Sequence, residues 1–361
     1  MKQRAHAWVA LRALKLIDDS NKNKTDLFVE MMSYYLSDVW DGAWLPDTLI
    51  KDMSYGHIFK MDSDPEFVPN IDSQSWRKAT YSELKKRTQG KRLCLDSIKG
   101  CEELEKPYWV TEESGHLPDR VIAINHSIID MLKMGDFPLA FYLQKKKSEA
   151  YRSEDLTRQT VKSLSLSPNF SARQIALTFF IVSHYVCDAH MPLHCDLRDM
   201  QALAGDKKRR RLPMPLHVGI EEVWEESFPD KEMLTIHDYT PESIASVTSS
   251  LPKESLIEID RENSPYALST RLPSSMPNEW DEMVNVCRIS YAVSRKWIPQ
   301  SSEEIEKLVG KDKCKAEALD QNDIERIFGK EAFKDVTNRI FHDAVESVAR
   351  LWYRAWDIFT R

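Results

Sequence analysis

Three good zinc ligands lie within the stretch His184-Tyr-Val-Cys-Asp188-Ala-His-Met-Pro192-Leu-His194. His184 and Asp188 are four residues apart, so on a helix they share one face. Pro192 should end or kink that helix, because proline lacks an N–H and clashes with the preceding turn. His194 then follows the break and is free to face a second metal ion. Imidazole nitrogens and carboxylate oxygens together suit zinc.

A second pair, His217 and Glu221, repeats the four-residue spacing 23 positions after His194. One His-x-x-x-Asp pair alone is weak support for a metal site. Two such pairs together with His194 favour a metal centre over chance.

The combined pattern resembles a known superfamily. His-x-x-x-Asp-x-x-x-Pro-Leu-His followed by His-x-x-x-Glu is similar to the zinc-dependent phospholipases C of bacteria and to the single-strand-specific zinc nucleases of plants and fungi. Three looser blocks upstream add to it: Ala5-His6-Ala-Trp8, Gly42-Ala-Trp-Leu-Pro46-Asp47 and Gly56-His57-Ile-Phe59. The resemblance covers residues 1 to about 225 in scattered blocks. It implies an all-α, multi-helix phospholipase C/zinc nuclease-like fold with long irregular loops.

The resemblance also implies which residues bind metal. The first site would contain Asp47, His57, His184 and Asp188, and the second His194, His217 and Glu221. Asp188 would bridge to a third zinc, bound by His6 and by the N-terminal amine and carbonyl. The resemblance further implies that Asp47 orients the attacking water, so Asp47 is also the candidate catalytic residue.

The sequence departs from the family at the third zinc site, because the family's mature chain begins with Trp and this sequence begins with Met1. Two zinc ions are expected, and a third is possible if the Met1 amine is free. Asp41 or Asp38 remain alternatives to Asp47.

Several residues near the candidate ligands are expected to have ordinary roles. His190 should face away from Asp188, and Glu222 and Glu225 should form a solvated face. Cys187 and Cys195 are expected in the core. The same role is the favoured interpretation for Trp8, Trp44 and Trp224, and a pocket for a cationic headgroup is the alternative.

Composition agrees with a large soluble helical protein of 361 residues, with only 10 glycines and a hydrophobic content of 42%. Candidate ligands run from His6 to Glu221, so we expect one domain over 1–361, with an irregular excursion at about 229–277. Helices are predicted over 2–19, 26–43, 118–134, 136–151, 172–191, 217–227, 280–297 and 331–359, and loops with short helices over 48–116.

Charge and apolar runs limit the partners. A net charge of −7 argues against wholesale binding of nucleic acid, although the basic run at 207–211 could collect phosphate-bearing substrates. No apolar run approaches the roughly 20 residues of a membrane span. The N-terminus has no signal peptide, which predicts a cytoplasmic protein, or a secreted one if the sequence is a processed form.

These features together predict a zinc-dependent phosphodiester hydrolase that is phospholipase C-like and uses a zinc-activated water. Glu221 favours a phospholipid substrate, because the related nucleases have Asp at that position. A single-strand nuclease or nucleotidase of the same fold is the first alternative, with nucleic acid as substrate. A non-catalytic, zinc-stabilised binding protein is the second.

Overall fold

The computed structural model describes residues 1–20, 22–51, 54–62, 76–80, 107–111, 117–134, 170–199, 212–228 and 279–361. Their α-helices are α1 (Gln3–Ser20), α2 (Lys22–Tyr34), α3 (Val39–Gly42), α4 (Leu117–Met134), α5 (Ala172–Ala189), α6 (Met214–Glu226), α7 (Glu279–Trp297), α8 (Ser302–Val309), α9 (Gln321–Phe328) and α10 (Lys330–Thr360). Strands β1 (Met61–Asp62), β2 (Trp76–Thr80) and β3 (Pro107–Thr111) form a small antiparallel sheet with β3 in the middle.

Helix α5 is the central element. A capping box fixes its start: the Ser171 hydroxyl accepts from the Gln174 N–H, and the Gln174 side chain accepts from the Ser171 N–H. From Val182 to Ala189 every side chain is buried. Helices α1, α3, α4, α7 and α10 all pack against α5. This half of α5 therefore holds His184 and Asp188 in a fixed position away from solvent.

The C-terminal helix α10 packs against α1 and covers the core. Trp352 of α10 packs edge-to-face on Phe28, Phe179 and Phe180, with ring centroids 5.9–6.3 Å apart. Trp224 of α6 packs in the same way on Phe341, at 5.2 Å. Such aromatic pairs add to the free energy gained from burial and fix the relative positions of the helices.

The described residues are mainly helical, as the all-α prediction requires. Most predicted helices occur within a few residues of their expected bounds. The prediction of one helix over 26–43 is wrong, because α2 ends at Tyr34 and a 3₁₀ turn, Leu36–Asp38, separates it from α3. The three strands lie in 48–116, where only loops and short helices were expected.

No helix in the described part of the chain is both long and apolar enough to cross a membrane. The predicted helix at 136–151, the basic run at 207–211 and the excursion at 229–277 lie outside the described residues. The prediction of a single domain over 1–361 includes those segments and stays a prediction.

Candidate metal centre

The first cluster is built on the buried face of α5. His184 Nδ1 donates to the carbonyl oxygen of Ala43 at 2.8 Å, which leaves Nε2 to face the cluster. Gly42 permits this contact, because a Cβ at that position would lie 2.9 Å from Leu177 Cδ1 and from Phe180 Cβ. The glycine lets α3 approach α5 closely enough to bring the Ala43 carbonyl to the histidine ring.

Asp47 and His57 complete the first cluster with His184. Their ligating atoms, one from each side chain, all lie within 4.8 Å of one another. His57 Nδ1 is 3.2 Å from His184 Nε2, and Asp47 Oδ1 is 3.5 Å from the same Nε2. Asp47 belongs to a short π-helical turn, Pro46–Ile50, and is about one-third exposed, so it lies on the solvent side of the cluster.

The two carboxylate oxygens of Asp188 face different groups. Oδ2 lies 2.8 Å from His57 Nδ1 and 3.1 Å from His184 Nε2. Oδ1 lies 3.6 Å from His6 Nε2 and 3.6 Å from His194 Nδ1. The buried Asp188 carboxylate therefore lies among these four histidines, with one oxygen toward each pair, which is the arrangement a bridging ligand requires.

The second cluster contains His194, His217 and Glu221, whose ligating atoms also lie within 4.8 Å of one another. His194 belongs to the 3₁₀ turn Pro192–Cys195, so the break that proline was expected to cause after α5 does occur. His217 and Glu221 come from successive turns of α6, with Nε2 and Oε1 3.2 Å apart.

The third cluster contains His6, His184 and Asp188. The His6 ring is fully buried and stacks on the His184 ring, with centroids 4.0 Å apart. His6 Nε2 is 3.1 Å from the Met1 carbonyl oxygen. The Met1 amine lies 2.7 Å from Glu221 Oε1 and 3.4 Å from Asp188 Oδ1. The atoms expected around a third zinc are thus brought together.

Burial and opposite charges set the ionisation of the metal-free cluster. Burial alone would lower the pKa of His184, but Asp188 and Asp47 raise it to about 9. Burial would raise the pKa of Asp188, but His184, the Met1 amine and His194 hold it well below its usual range. Burial lowers the pKa of His194 to about 3. The metal-free centre therefore combines an ionised Asp188 with a protonated His184 and a neutral His194.

The cleft over these clusters has a volume of about 690 Å³. Ligand candidates from all three clusters line it, together with Trp44, Pro46 and Lys51. Lys51 ends the turn that carries Asp47 and has a left-handed backbone with φ of 47°. A cationic side chain thus accompanies the carboxylates and imidazoles in one open cleft.

The donor set fits zinc. In the first cluster His57 Nδ1 and His184 Nε2 lie 3.2 Å apart, and both are close to Asp188 Oδ2. A cation between the two nitrogens would accept the lone pair of each. His194 Nδ1 and His6 Nδ1 are buried without a hydrogen-bond partner among the described residues. All eight predicted ligand side chains lie at this centre, and their binding of metal stays a prediction.

The alternatives to Asp47 lie elsewhere. Asp38 forms a two-bond ion pair with Arg173, at 2.6 and 2.8 Å, and Asp41 is exposed and belongs to none of the three clusters. His190 turns away from the centre, as predicted, and its Nε2 is 3.0 Å from Ser347 Oγ. Cys187 and Cys195 are buried and unbridged, as expected of core residues.

The prediction that Glu225 belongs to a solvated face is wrong. Its carboxylate accepts from the N–H of Arg4 at 2.9 and 3.0 Å and from the N–H of Ala5 at 3.3 Å. A carboxylate is favourable there, because the first N–H groups of a helix have no partner within it and carry partial positive charge. Glu225 thereby fixes the start of the helix that carries His6. Glu222, 44% exposed, fits the prediction and pairs with Lys2.

Two of the three tryptophans near the ligands pack in the core, and the third lines the cleft. Trp8 and Trp224 are buried in the core. Trp44 is only half-buried and lines the cleft, with its ring 5.8 Å from that of His6 and 5.9 Å from that of His184. Core packing was the wrong expectation for Trp44, because α3 ends just before it and turns its side chain toward the cleft.

Asp199 and Lys60 also belong to the centre, and neither was predicted from the sequence. Asp199 Oδ2 accepts from His217 Nδ1 at 2.8 Å and from Lys60 Nζ at 3.1 Å. Neither residue belongs to the motifs, and no spacing in the sequence connects residue 60 with residue 199.

Comparison of the chain with protein-family models, with curated proteins and with solved structures finds no match. The clusters above are therefore the basis for the functional argument.

Proposed function

We propose that the protein is a zinc-dependent phosphodiester hydrolase of the phospholipase C type. One observation carries the proposal: three groups of imidazole and carboxylate ligands, from separate parts of the chain, line one open cleft. Two zinc ions would be held by the first and second clusters. A third would use His6 and Asp188 with the Met1 amine.

The composition of the clusters favours catalysis over a purely structural zinc site. Structural zinc sites are closed, tetrahedral and rich in cysteine, whereas catalytic sites keep a position open. Here each cluster offers three side chains and no cysteine, and the cleft reaches them from solvent. When bound, zinc polarises a phosphoryl oxygen and lowers the pKa of a water molecule.

Asp47 is the proposed general base. It is the ligand candidate with the most exposed side chain in the first cluster, and its Oδ1 faces His57 and His184. A carboxylate there can orient the attacking water and accept its proton. Lys51, which ends the same turn and lines the cleft, would interact with a non-bridging phosphate oxygen as a positive charge.

A phospholipid is the favoured substrate, because Glu221 matches the phospholipase pattern. Trp44 in the cleft supports this choice, because a half-buried indole ring can bind a quaternary ammonium headgroup. A single-strand nuclease remains the second candidate, favoured by the basic run at 207–211 in the sequence.

The experiment compares three substrates on protein reconstituted with zinc: a short-chain phosphatidylcholine, single-stranded DNA and bis(p-nitrophenyl) phosphate. We expect zinc-dependent cleavage of the phosphatidylcholine. Asp47→Asn should abolish turnover while leaving the circular dichroism spectrum unchanged. Asp41→Asn is the matched control, because Asp41 is exposed and outside the clusters.

Cleavage of DNA without turnover of phosphatidylcholine would replace the phospholipase proposal by the nuclease. Zinc binding with no cleavage of any of the three substrates would favour the non-catalytic alternative. Inactivation by Asp41→Asn but not by Asp47→Asn would show that the base is misassigned.

A further inference from the structure

We propose that Asp199, held by Lys60, is a positioning residue for the second metal site. It would fix the ring of His217 so that Nε2, and not Nδ1, binds the metal ion. This inference rests on the proposed function, because it concerns how one of the proposed ligands is presented.

The hydrogen bond between Asp199 and His217 has one possible direction. Asp199 is 10% exposed, and its Oδ2 accepts from the buried ammonium group of Lys60 at 3.1 Å, which pairs the carboxylate with a positive charge. An ionised carboxylate only accepts hydrogen bonds. The 2.8 Å contact with His217 Nδ1 therefore requires a proton on Nδ1.

The opposite nitrogen of the ring is thereby directed to the cluster. His217 Nε2 lies 3.2 Å from Glu221 Oε1 and is the ring nitrogen that faces the second cluster, because Nδ1 is bound to Asp199. A histidine that binds metal commonly donates its other N–H to a carboxylate, which fixes the ring and makes the binding nitrogen more basic. The first cluster uses a neutral carbonyl for the same purpose, Ala43 O on His184 Nδ1.

Lys60 links this carboxylate to the other histidine of the second cluster. Its ammonium group is buried and donates to Asp199 Oδ2 at 3.1 Å and to the carbonyl oxygen of Leu193. Leu193 directly precedes His194, and the neighbouring N–H of Phe59 donates to the His194 carbonyl at 3.2 Å. Lys60 therefore holds the backbone before His194 and the carboxylate behind His217 in one arrangement.

Lys60 also makes the buried carboxylate possible. An unpaired charge in the interior is costly, and the Lys60 ammonium group compensates the charge of the Asp199 carboxylate. Lys60 is not among the ligand candidates, so the ion pair does not depend on zinc, and Asp199 Oδ2 is an acceptor for His217 Nδ1–H with or without the metal ion.

The test measures zinc binding and the His217 ring separately from activity. Zinc affinities are determined by competition with a chelator for the wild type, Asp199→Asn, Lys60→Met and the surface control Asp41→Asn. We expect Asp199→Asn to weaken the second-site zinc about 10- to 100-fold and to leave the first site unchanged. Lys60→Met should also weaken the second site, and the control should match the wild type.

Nitrogen NMR of histidine-labelled, zinc-loaded wild-type protein shows which ring nitrogen of His217 carries the proton. A purely structural role of Asp199 would not fix this choice. His217, assigned by comparison with His217→Gln, should show a proton on Nδ1 and metal on Nε2. This measurement needs no variant of Asp199 and so does not depend on whether Asp199→Asn folds.

The outcomes separate the two proposals. A second zinc bound through Nδ1 of His217, or with unchanged affinity in Asp199→Asn, would overturn the role of Asp199 and leave the hydrolase proposal intact. A wild-type protein that binds zinc at neither cluster would overturn the proposed function, and the role of Asp199 with it.

Discussion

Gly219 lies between two ligand candidates of the second cluster, His217 and Glu221, and its replacement by alanine tests the packing behind them. A Cβ at this position would lie 2.4 Å from the carbonyl oxygen of Leu319 and 2.9 Å from its amide nitrogen. Carbon and oxygen normally approach to about 3.3 Å, so about 0.9 Å of movement is required. The obstacle is backbone, and it is fixed by a 3.0 Å hydrogen bond from Leu319 N–H to the Pro215 carbonyl.

Two effects of Gly219→Ala oppose each other. Alanine within a helix is favoured over glycine by about 1 kcal/mol. Overpacking costs about 1–3 kcal/mol, and the upper part of that range applies where backbone atoms cannot rotate away. We expect the free energy of unfolding to fall by about 1–2 kcal/mol, which is the difference between these costs and gains. The displaced turn of α6 should also weaken zinc binding at the second cluster.

The assay is urea unfolding of the metal-free protein, followed by zinc competition for the second cluster. Met214→Ala is the control on the same helix, because Met214 is 57% exposed and its replacement should change stability by less than about 0.5 kcal/mol. A Gly219→Ala protein that is more stable than the wild type, with unchanged zinc affinity, would refute the argument that α6 packs against Leu319 without room for a methyl group.

Three more predictions concern the centre and the cap of the helix that carries His6. His194→Ala should lose the zinc of the second cluster while circular dichroism reports an intact fold; full zinc content would contradict the assignment. Zinc affinity should rise as pH increases toward about 9, because zinc must displace the protons of His184 and His217. Burial alone would lower the pKa of both histidines, but Asp188 raises that of His184 and Asp199 that of His217 to about 9. Chelator competition that gives one affinity at every pH would contradict this. Glu225→Ala should lower stability by about 0.5–2 kcal/mol in urea unfolding, since two helix N–H groups lose their acceptor; an unchanged midpoint would show that this cap is dispensable.

Local rules predicted part of the centre, whereas His6, Asp47 and His57 were expected from the family resemblance. The four-residue spacings of His184 with Asp188 and of His217 with Glu221 require only that each segment be helical. The capping residue Ser171 and the break at Pro192 are likewise local signals, and both mark the ends of the segment around α5.

Other features depend on contacts between distant segments, which a single sequence does not encode locally. The Asp199–Lys60 pair joins residues 139 positions apart, and Glu225 caps a helix more than 200 residues before it. The strand pairing of residues 61–62 with 109–110 is equally non-local. Helices α8 and α9 are different, because the side chains of Ser301 and Asp320 cap them. These capping residues are local signals, so both helices could have been predicted from the sequence.

The central claim is that the imidazole and carboxylate clusters of this cleft bind zinc. The most direct test is elemental analysis of protein purified without chelator, together with the double variant His184→Ala/His217→Ala. This variant removes His184 from the first and third clusters and His217 from the second. The account predicts at least two zinc ions per wild-type chain and a large loss in the double variant. Less than one zinc ion per wild-type chain, or equal zinc in both proteins, would contradict it.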